Sequence, residues 1–181
     1  MDFQEHKALV QKFHEKHSFA VGLDLEKTEF DAKESAILDN VVSTLFKAAL
    51  RLEHCVKETN NSVAVARAQL MIEELAETIE ALITRNKVDL LDGLSDLLFV
   101  TLGTAIAYDM PIEEGHREVC RSNLTKAVRK PEDDPRLRDK GPDYDPPRIK
   151  EILYGCAVCK YHSTENKAIC NECESKGKTN E

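Results

Sequence analysis

The chain has no tryptophan, and aromatic residues of all kinds make up only 6 % of it. Seven glycines and six prolines in 181 residues are too few for a protein built from many short strands and tight turns. Long apolar runs are missing too. The longest, Leu97 to Tyr108, covers twelve residues, whereas a membrane span needs about 20. The opening MDFQEHKALV lacks the basic-then-apolar pattern of a secretory leader. These absences predict a soluble, cytoplasmic protein with no membrane partner. Positive charge is also scarce: 25 Lys and Arg stand against 33 Asp and Glu, a formal net charge of −8. Such a chain is a poor general binder of polyanions, because phosphate contacts come from Lys and Arg. It can still take a small anion where a divalent cation stands between the charges.

What is present fits a helical core of Leu, Ala, Val and Ile, with 41 % apolar residues. Leu9, Val10 and Phe13 share one side of a short amphipathic segment over 4–17. Residues 19–31 form a connection broken at Gly22. Over 34–57 the apolar positions Ile37, Val41, Leu45, Ala49, Leu52 and Val56 recur every three or four residues, which predicts a helix. Asn60-Asn61-Ser62 is a turn and a candidate cap. Further helices are expected over 63–84, 88–108 and 111–128, the last started by Pro111. Five of the six prolines then crowd into 130–147, where no regular element should survive. Ile149 to Leu153 is a possible single turn of helix. No segment reads as a strand, and no repeat of fixed period is present. The fold class is therefore all-α, a helical bundle over 1–153 with a small appended module over 154–175 and a flexible tail over 176–181.

Two of the helices carry acids in an unusual pattern. On a wheel with Glu73 at zero, Glu77 falls at about 40°, Glu80 at about 340° and Glu74 at about 100°, while Leu75, Ile79, Leu82 and Ile83 fall at about 180–280°. Alone, this is an ordinary solvated glutamate face. In the next helix Asp92, Asp96 and Asp89 form a stripe only about 60° wide on a segment otherwise apolar almost all round. Such a helix is expected to be buried, and burying ionised carboxylates without partners costs several kcal/mol each, roughly. Either the stripe lines a wet cleft or a cation holds it. Asp89 is equally readable as an N-terminal cap, a role that Asp92 and Asp96 are too deep in the helix to play. A short turn over 85–87 would set Glu74 and Glu77 opposite Asp92 and Asp96. An oxygen-only set of that kind suits Mg²⁺ or Mn²⁺.

Cysteine is concentrated at the other end. Cys156-x2-Cys159 and Cys170-x2-Cys173 are separated by ten residues. In an intracellular chain this spacing predicts a closed, structural Zn²⁺ site with four thiolate ligands, rather than disulfides. From Cys156 to the end, four Lys balance four Glu, and Tyr161 is the one Phe, Trp or Tyr residue. A neutral module without a stacking platform argues against nucleic-acid binding. The alternative to an enzyme is nonetheless a non-enzymatic nucleic-acid-binding or scaffold protein that uses this module.

Glu73-Glu74-Leu75-Ala76-Glu77, then fourteen residues, then Asp92-Gly93-Leu94-Ser95-Asp96-Leu97-Leu98-Phe99-Val100, resembles the MazG-like all-α nucleoside triphosphate pyrophosphohydrolases, relatives of the phosphoribosyl-ATP pyrophosphohydrolases. Thr101-Leu102-Gly103-Thr104-Ala105, Arg121-Ser122-Asn123-Leu124-Thr125-Lys126 and Pro146-Pro147 resemble the branch common in bacteriophages, for which the compartment would be the host cytoplasm. The resemblance covers roughly 62–153. It implies hydrolysis of a (deoxy)nucleoside triphosphate to the monophosphate and pyrophosphate, shaping the nucleotide pool, with a lean toward a purine such as dGTP. It implies Mg²⁺ or Mn²⁺ on Glu74, Glu77, Asp92 and Asp96, with Glu73 as the base for the attacking water. Arg121, Asn123 and Lys126 would contact substrate, and the chain would form a homo-oligomer, a dimer or tetramer. One departure stands out. The family pattern has Glu three residues before the final Asp, where this chain has Gly93 and carries its acid at Asp92. The zinc module is not a usual part of that core.

Overall fold

The computed structural model describes residues 2–60, 62–128 and 140–155. All regular elements among them are helical: α1 (Phe3–Lys16), α2 (Ala32–Glu58), α3 (Val63–Thr84), α4 (Lys87–Ala107), α5 (Ile112–Leu124) and α6 (Ile149–Tyr154), with a short 3-10 turn at Leu25–Lys27. The all-α expectation therefore holds. Cys156, Cys159, Cys170 and Cys173, and with them the expected zinc module and tail, lie outside the described residues. The chain divides into two compact units. One is Gly22–Asp109 and carries α2, α3 and α4. The other combines the described parts of Met1–Val21 and Met110–Glu181 and carries α1, α5 and α6.

In the first unit α3 is the middle helix and packs against both α2 and α4. Local chemistry sets the ends. Asp31 begins α2 with a reciprocal capping box: its side chain accepts from the backbone of Lys33 and Glu34, while Glu34 accepts from the Asp31 N–H. Ser62 occupies the N-cap of α3 but makes no side-chain cap bond. Arg85, left-handed at φ 59°, closes α3. Its guanidinium donates to the Thr28 carbonyl and lies over the Phe30 ring, 5.4 Å from the centroid. Asn86 then starts α4, its side-chain oxygen accepting from Val88 and Asp89 N–H at 3.0 and 3.3 Å. Asn86, not Asp89, is thus the cap. Asp89 instead accepts from the Asn86 amide at 2.5 Å. Lys87 pairs with Asp24 and Glu26, in the segment ahead of α2, at 3.1 and 3.3 Å.

With only Arg85 and Asn86 between them, α3 and α4 run antiparallel, and two glycines fix how they meet. Gly93 is buried against Thr78: a Cβ there would stand 2.8 Å from the Thr78 hydroxyl, 3.1 Å from its Cα and 3.2 Å from its N. Ten residues on, a Cβ at Gly103 would stand 2.7 Å from an Arg67 guanidinium nitrogen. The buried residues of the unit are correspondingly small, including Ala49, Ala76, Thr78, Ala81, Val100 and Ala105.

The expected burial of α4 is not met within the chain. Only Gly93, Val100 and Ala105 of this helix are buried, while Val88, Leu91, Phe99 and Ile106 are 69–81 % exposed. The reason is the single-sided packing of α4, which meets α3 along the seam that also carries its aspartates and so leaves its leucines outward. By length and composition α4 could cross a membrane. Asp96 stands at its middle, however, where an acid costs about 2.5–3.5 kcal/mol in lipid.

In the second unit α1 packs on α5 and α5 on α6. His6 and His116 meet nitrogen to nitrogen at 2.6 Å, joining α1 to α5. Buried His17 lies against Phe13, the rings tilted by 43° with centroids 4.4 Å apart. Pro111 stands at the N-cap of α5, but the helix stops at Leu124, short of the expected 128. The returning chain is the cause. The Thr125 hydroxyl donates to the Ser122 carbonyl at 2.8 Å and accepts from the Asp145 N–H at 2.8 Å, which ends the helix there.

The two glycines of α4 should respond differently to alanine. Alanine gains about 1 kcal/mol over glycine in a helix, but overpacking costs about 1–3 kcal/mol. At Gly93 the obstacle is the backbone of Thr78, which cannot swing aside, so Gly93→Ala should lower the urea midpoint. At Gly103 the obstacle is the end of a flexible side chain, so Gly103→Ala should leave the midpoint unchanged or slightly raised.

Candidate active site

The acids of α3 and α4 face one seam. As α4 advances from Gly93 to Gly103, its neighbour on α3 retreats from Thr78 to Arg67. That register sets Glu74 level with Asp96, and Glu77 level with Asp92 and Gly93. Electrostatics reports the same convergence. The carboxyls of Glu74 and Glu77 are held above the usual range by burial, and then by one another's neighbourhood: Glu74 feels Glu77, Asp96, Glu73 and Asp92, and Glu77 feels Glu73, Asp96, Glu80 and Asp92. Among the described residues none of the side chains of Glu74, Glu77, Asp92 and Asp96 takes a hydrogen bond or an ion pair. Four acids on facing helices are thus left without a counter-charge among the described residues.

Glu73 differs. Its carboxylate accepts from the Gln69 amide at 2.5 Å, one turn back on α3, so its orientation is set before any ligand arrives. A cleft of about 320 Å³ opens beside the seam, lined by Phe46 of α2, by Glu77, Glu80, Ala81 and Thr84 of α3, and by Asp89, Asp92 and Gly93 of α4. Phe46, Gln69 and Glu80 were not singled out from sequence as site residues. Glu80 was visible on the acidic face of the wheel; Gln69 and Phe46 carry no pattern of their own.

The place of Gly93 accounts for the departure from the family's acid spacing. Its Cα lies so close to the Thr78 backbone that no side chain fits. Asp92, one residue earlier, is exposed and lines the cleft, where the packing leaves room for a side chain.

The donor set is all carboxylate oxygen, which fits a hard divalent cation. As the side chains stand, no group of three or more His, Cys, Asp or Glu among the described residues is arranged to hold an ion. To form a coordination shell these carboxylates would have to turn inward, against the repulsion between like charges.

The three substrate-contact candidates belong to the other unit. Arg121 is fully engaged: it donates to Glu118 at 2.7 and 2.8 Å, to Asp145 at 2.6 Å and to the Pro146 carbonyl at 3.1 Å. These partners push its already high pKa further up. Asn123 and Lys126 are half-buried and make no side-chain hydrogen bond or ion pair among the described residues. Lys126 follows the helix rather than lying on it, and lines a second hollow of about 350 Å³ with Lys16, Thr125, Gly141 and Pro142. Lys16 donates to the carbonyls of Leu124 and Lys126 and so fixes this segment to α1.

The raised carboxyls make a stability prediction. A group whose pKa is higher in the folded than in the unfolded chain holds its proton more firmly when folded. The cost of ionising it is absent below the unfolded value of about 4.3 and grows as pH rises through the folded one. In metal-free protein Glu74→Gln should therefore raise Tm at pH 7 and have no effect near about pH 4. Saturating Mn²⁺ should reverse the order at pH 7, because the wild-type chain alone keeps the full donor set. Thermal melts at the two pH values, with and without Mn²⁺, check this.

Comparison with known proteins bears on the same helices. No curated protein and no solved structure gives a match to the chain. Residues 47–123 match the family model of phosphoribosyl-ATP pyrophosphohydrolase, a stretch that runs from the middle of α2 through α3 and α4 to Asn123 of α5. The matched stretch is thus similar to a phosphoribosyl-ATP pyrophosphohydrolase domain, of the MazG-like all-α nucleotide pyrophosphohydrolases, and points to nucleotide pyrophosphohydrolase activity in general.

Proposed function

We propose that this chain hydrolyses a (deoxy)nucleoside triphosphate to the monophosphate and pyrophosphate, with a purine such as dGTP as the first substrate to test. One observation supports the reading: Glu74 and Glu77 of α3 lie across the seam from Asp92 and Asp96 of α4, beside an open cleft, and among the described residues none of the four side chains has a hydrogen-bond or ion-pair partner. The electrostatic cost of that arrangement is repaid when a divalent cation and a polyanion bind together. Mg²⁺ or Mn²⁺ held by Glu74, Glu77, Asp92 and Asp96 would offset phosphate charge and make water more acidic. Glu73, oriented by Gln69, takes the proton of the attacking water. The water oxygen bonds to the α-phosphorus, the bond from that phosphorus to the bridging oxygen breaks, and pyrophosphate leaves with the electron pair. Asn123 and Lys126, whose side chains make no hydrogen bond or ion pair among the described residues, would contact substrate. Arg121 would have to release Glu118 and Asp145 to touch it, so we assign it to holding the end of α5 in place.

Two further parts of the reading concern assembly. The outward leucines of α4, with Phe99 and Ile106, form an apolar face that a second copy of the chain would cover, making a dimer or a tetramer. Cys156, Cys159, Cys170 and Cys173 would hold a structural Zn²⁺. On this reading nucleic acid is not a partner.

Isotope labelling tests the chemistry. In ¹⁸O water with Mg²⁺ or Mn²⁺, label should enter the nucleoside monophosphate, and pyrophosphate should appear one to one with it. Label in pyrophosphate, or release of single phosphate, contradicts attack at the α-phosphorus. Glu77→Gln and Asp96→Asn should each abolish turnover while keeping the fold, and full activity in either removes the assigned site. Zinc should stay with the protein through desalting and be lost in Cys170→Ser. For assembly, Phe99→Glu should reduce the mass seen by light scattering to that of a single chain, whereas a wild-type chain that is already monomeric refutes the covered face.

A further inference from the structure

Arg67 lies on the same seam as the acids and has no hydrogen-bond or ion-pair partner among the described residues. Seven residues separate it from Glu74, so it stands about 20° away on the helical wheel and about 10.5 Å, two turns, further toward the start of α3. Gly103 is likewise seven residues beyond Asp96 on α4. The pair Arg67 and Gly103 therefore repeats the pair Glu74 and Asp96 two turns along. The guanidinium is seated in the notch that Gly103 leaves: the nearest nitrogen is 2.7 Å, the central carbon 3.5 Å and the other terminal nitrogen 3.9 Å from where a Cβ would stand. Arg67 is half-buried, and among the described residues it forms no hydrogen bond and no ion pair. This is unlike Arg121, which engages two carboxylates and a carbonyl. A planar fork of five donors held partly out of water, with its acidic neighbours two turns away, is suited to a phosphate group.

We propose that Arg67, seated by Gly103, grips the polyphosphate of the substrate at the end that departs as pyrophosphate. The inference rests on the reading of the seam as a triphosphate site and adds a residue to it. Charge along the seam is then complementary in two parts. The carboxylate end meets phosphate through cations, and the Arg67 end meets it directly. The glycine at 103 keeps α4 clear of the fork, so the seat exists only because no side chain stands there.

The test uses the full chain and inorganic tripolyphosphate with Mn²⁺, which removes the base and sugar from the question. Binding is measured by calorimetry, alongside Mn²⁺ binding alone and the thermal melt. Arg67→Gln should weaken tripolyphosphate roughly tenfold or more, and Arg67→Lys by less, because it keeps the charge and loses the fork. Gly103→Ala should weaken it severalfold by displacing the guanidinium. Mn²⁺ affinity and Tm should stay at wild-type values in all three. Unchanged tripolyphosphate affinity in Arg67→Gln or Gly103→Ala overturns the assignment. Loss of Mn²⁺ binding together with tripolyphosphate binding also overturns it, since Arg67 would then act only by holding the helices together. A wild-type chain that binds Mn²⁺ but no tripolyphosphate refutes the triphosphate site itself, and the role of Arg67 falls with it.

Discussion

The closeness of α3 to α4 is the constraint on which the site depends. Two helices carrying acids on facing sides repel, and in water they would drift apart or turn their acids outward. Here the approach is set elsewhere, by Gly93 against the Thr78 backbone and by the small residues Ala76, Ala81 and Val100. Dispersion and burial along that strip act over short range, and the two-residue connection at Arg85-Asn86 fixes the register. The carboxylates are carried into proximity by packing that does not involve them. The raised affinity of Glu74 and Glu77 for protons goes with this arrangement.

That cost has a chemical use. A carboxylate already neutralised by lysine or arginine is a weak ligand, since a cation would first have to displace the partner. Among the described residues Glu74, Glu77, Asp92 and Asp96 have no such partner, whereas Glu118 and Asp145 of the other unit are bound by Arg121 and Arg148. The two units thus use the same residue types for opposite ends. One latches the end of α5, and the other keeps a negative site open.

Much of this was legible in the sequence. The helices, their approximate ends and the two acidic faces follow from apolar spacing, because a period of 3.6 residues is a property of the chain itself. The meeting of Glu74 with Asp96 follows from a short connection. Other features depend on atoms distant in sequence. That Asn86 caps α4 while Asp89 serves it from the third position is a matter of local torsions that either residue could adopt. The stop of α5 at Leu124 comes from Asp145, twenty residues beyond Thr125, reaching back to its hydroxyl. Gln69 beside Glu73 and Arg67 beside Gly103 are ordinary helical residues until the structure supplies their neighbours. The expected zinc module rests on the spacing of Cys156, Cys159, Cys170 and Cys173 alone, as these residues lie outside the described ones.

The outward face of α4 is where sequence and structure pull hardest against each other. The composition of the helix asks for burial, yet Leu91, Phe99 and Ile106 stand open. Turning α4 to bury them would carry Asp92 and Asp96 away from α3 and dissolve the seam. Placing the helix in lipid would strand Asp96 at its centre. Leaving the face in water forfeits roughly 1.5–3 kcal/mol for each large side chain that could be covered. In the assembly we propose, an identical helix brought against that face would resolve the conflict, since it would cover the leucines and leave the aspartates where they are. The narrowness of the acidic stripe is what makes this possible: a helix with acids spread over half its surface could not serve a wet seam on one side and a dry contact on the other.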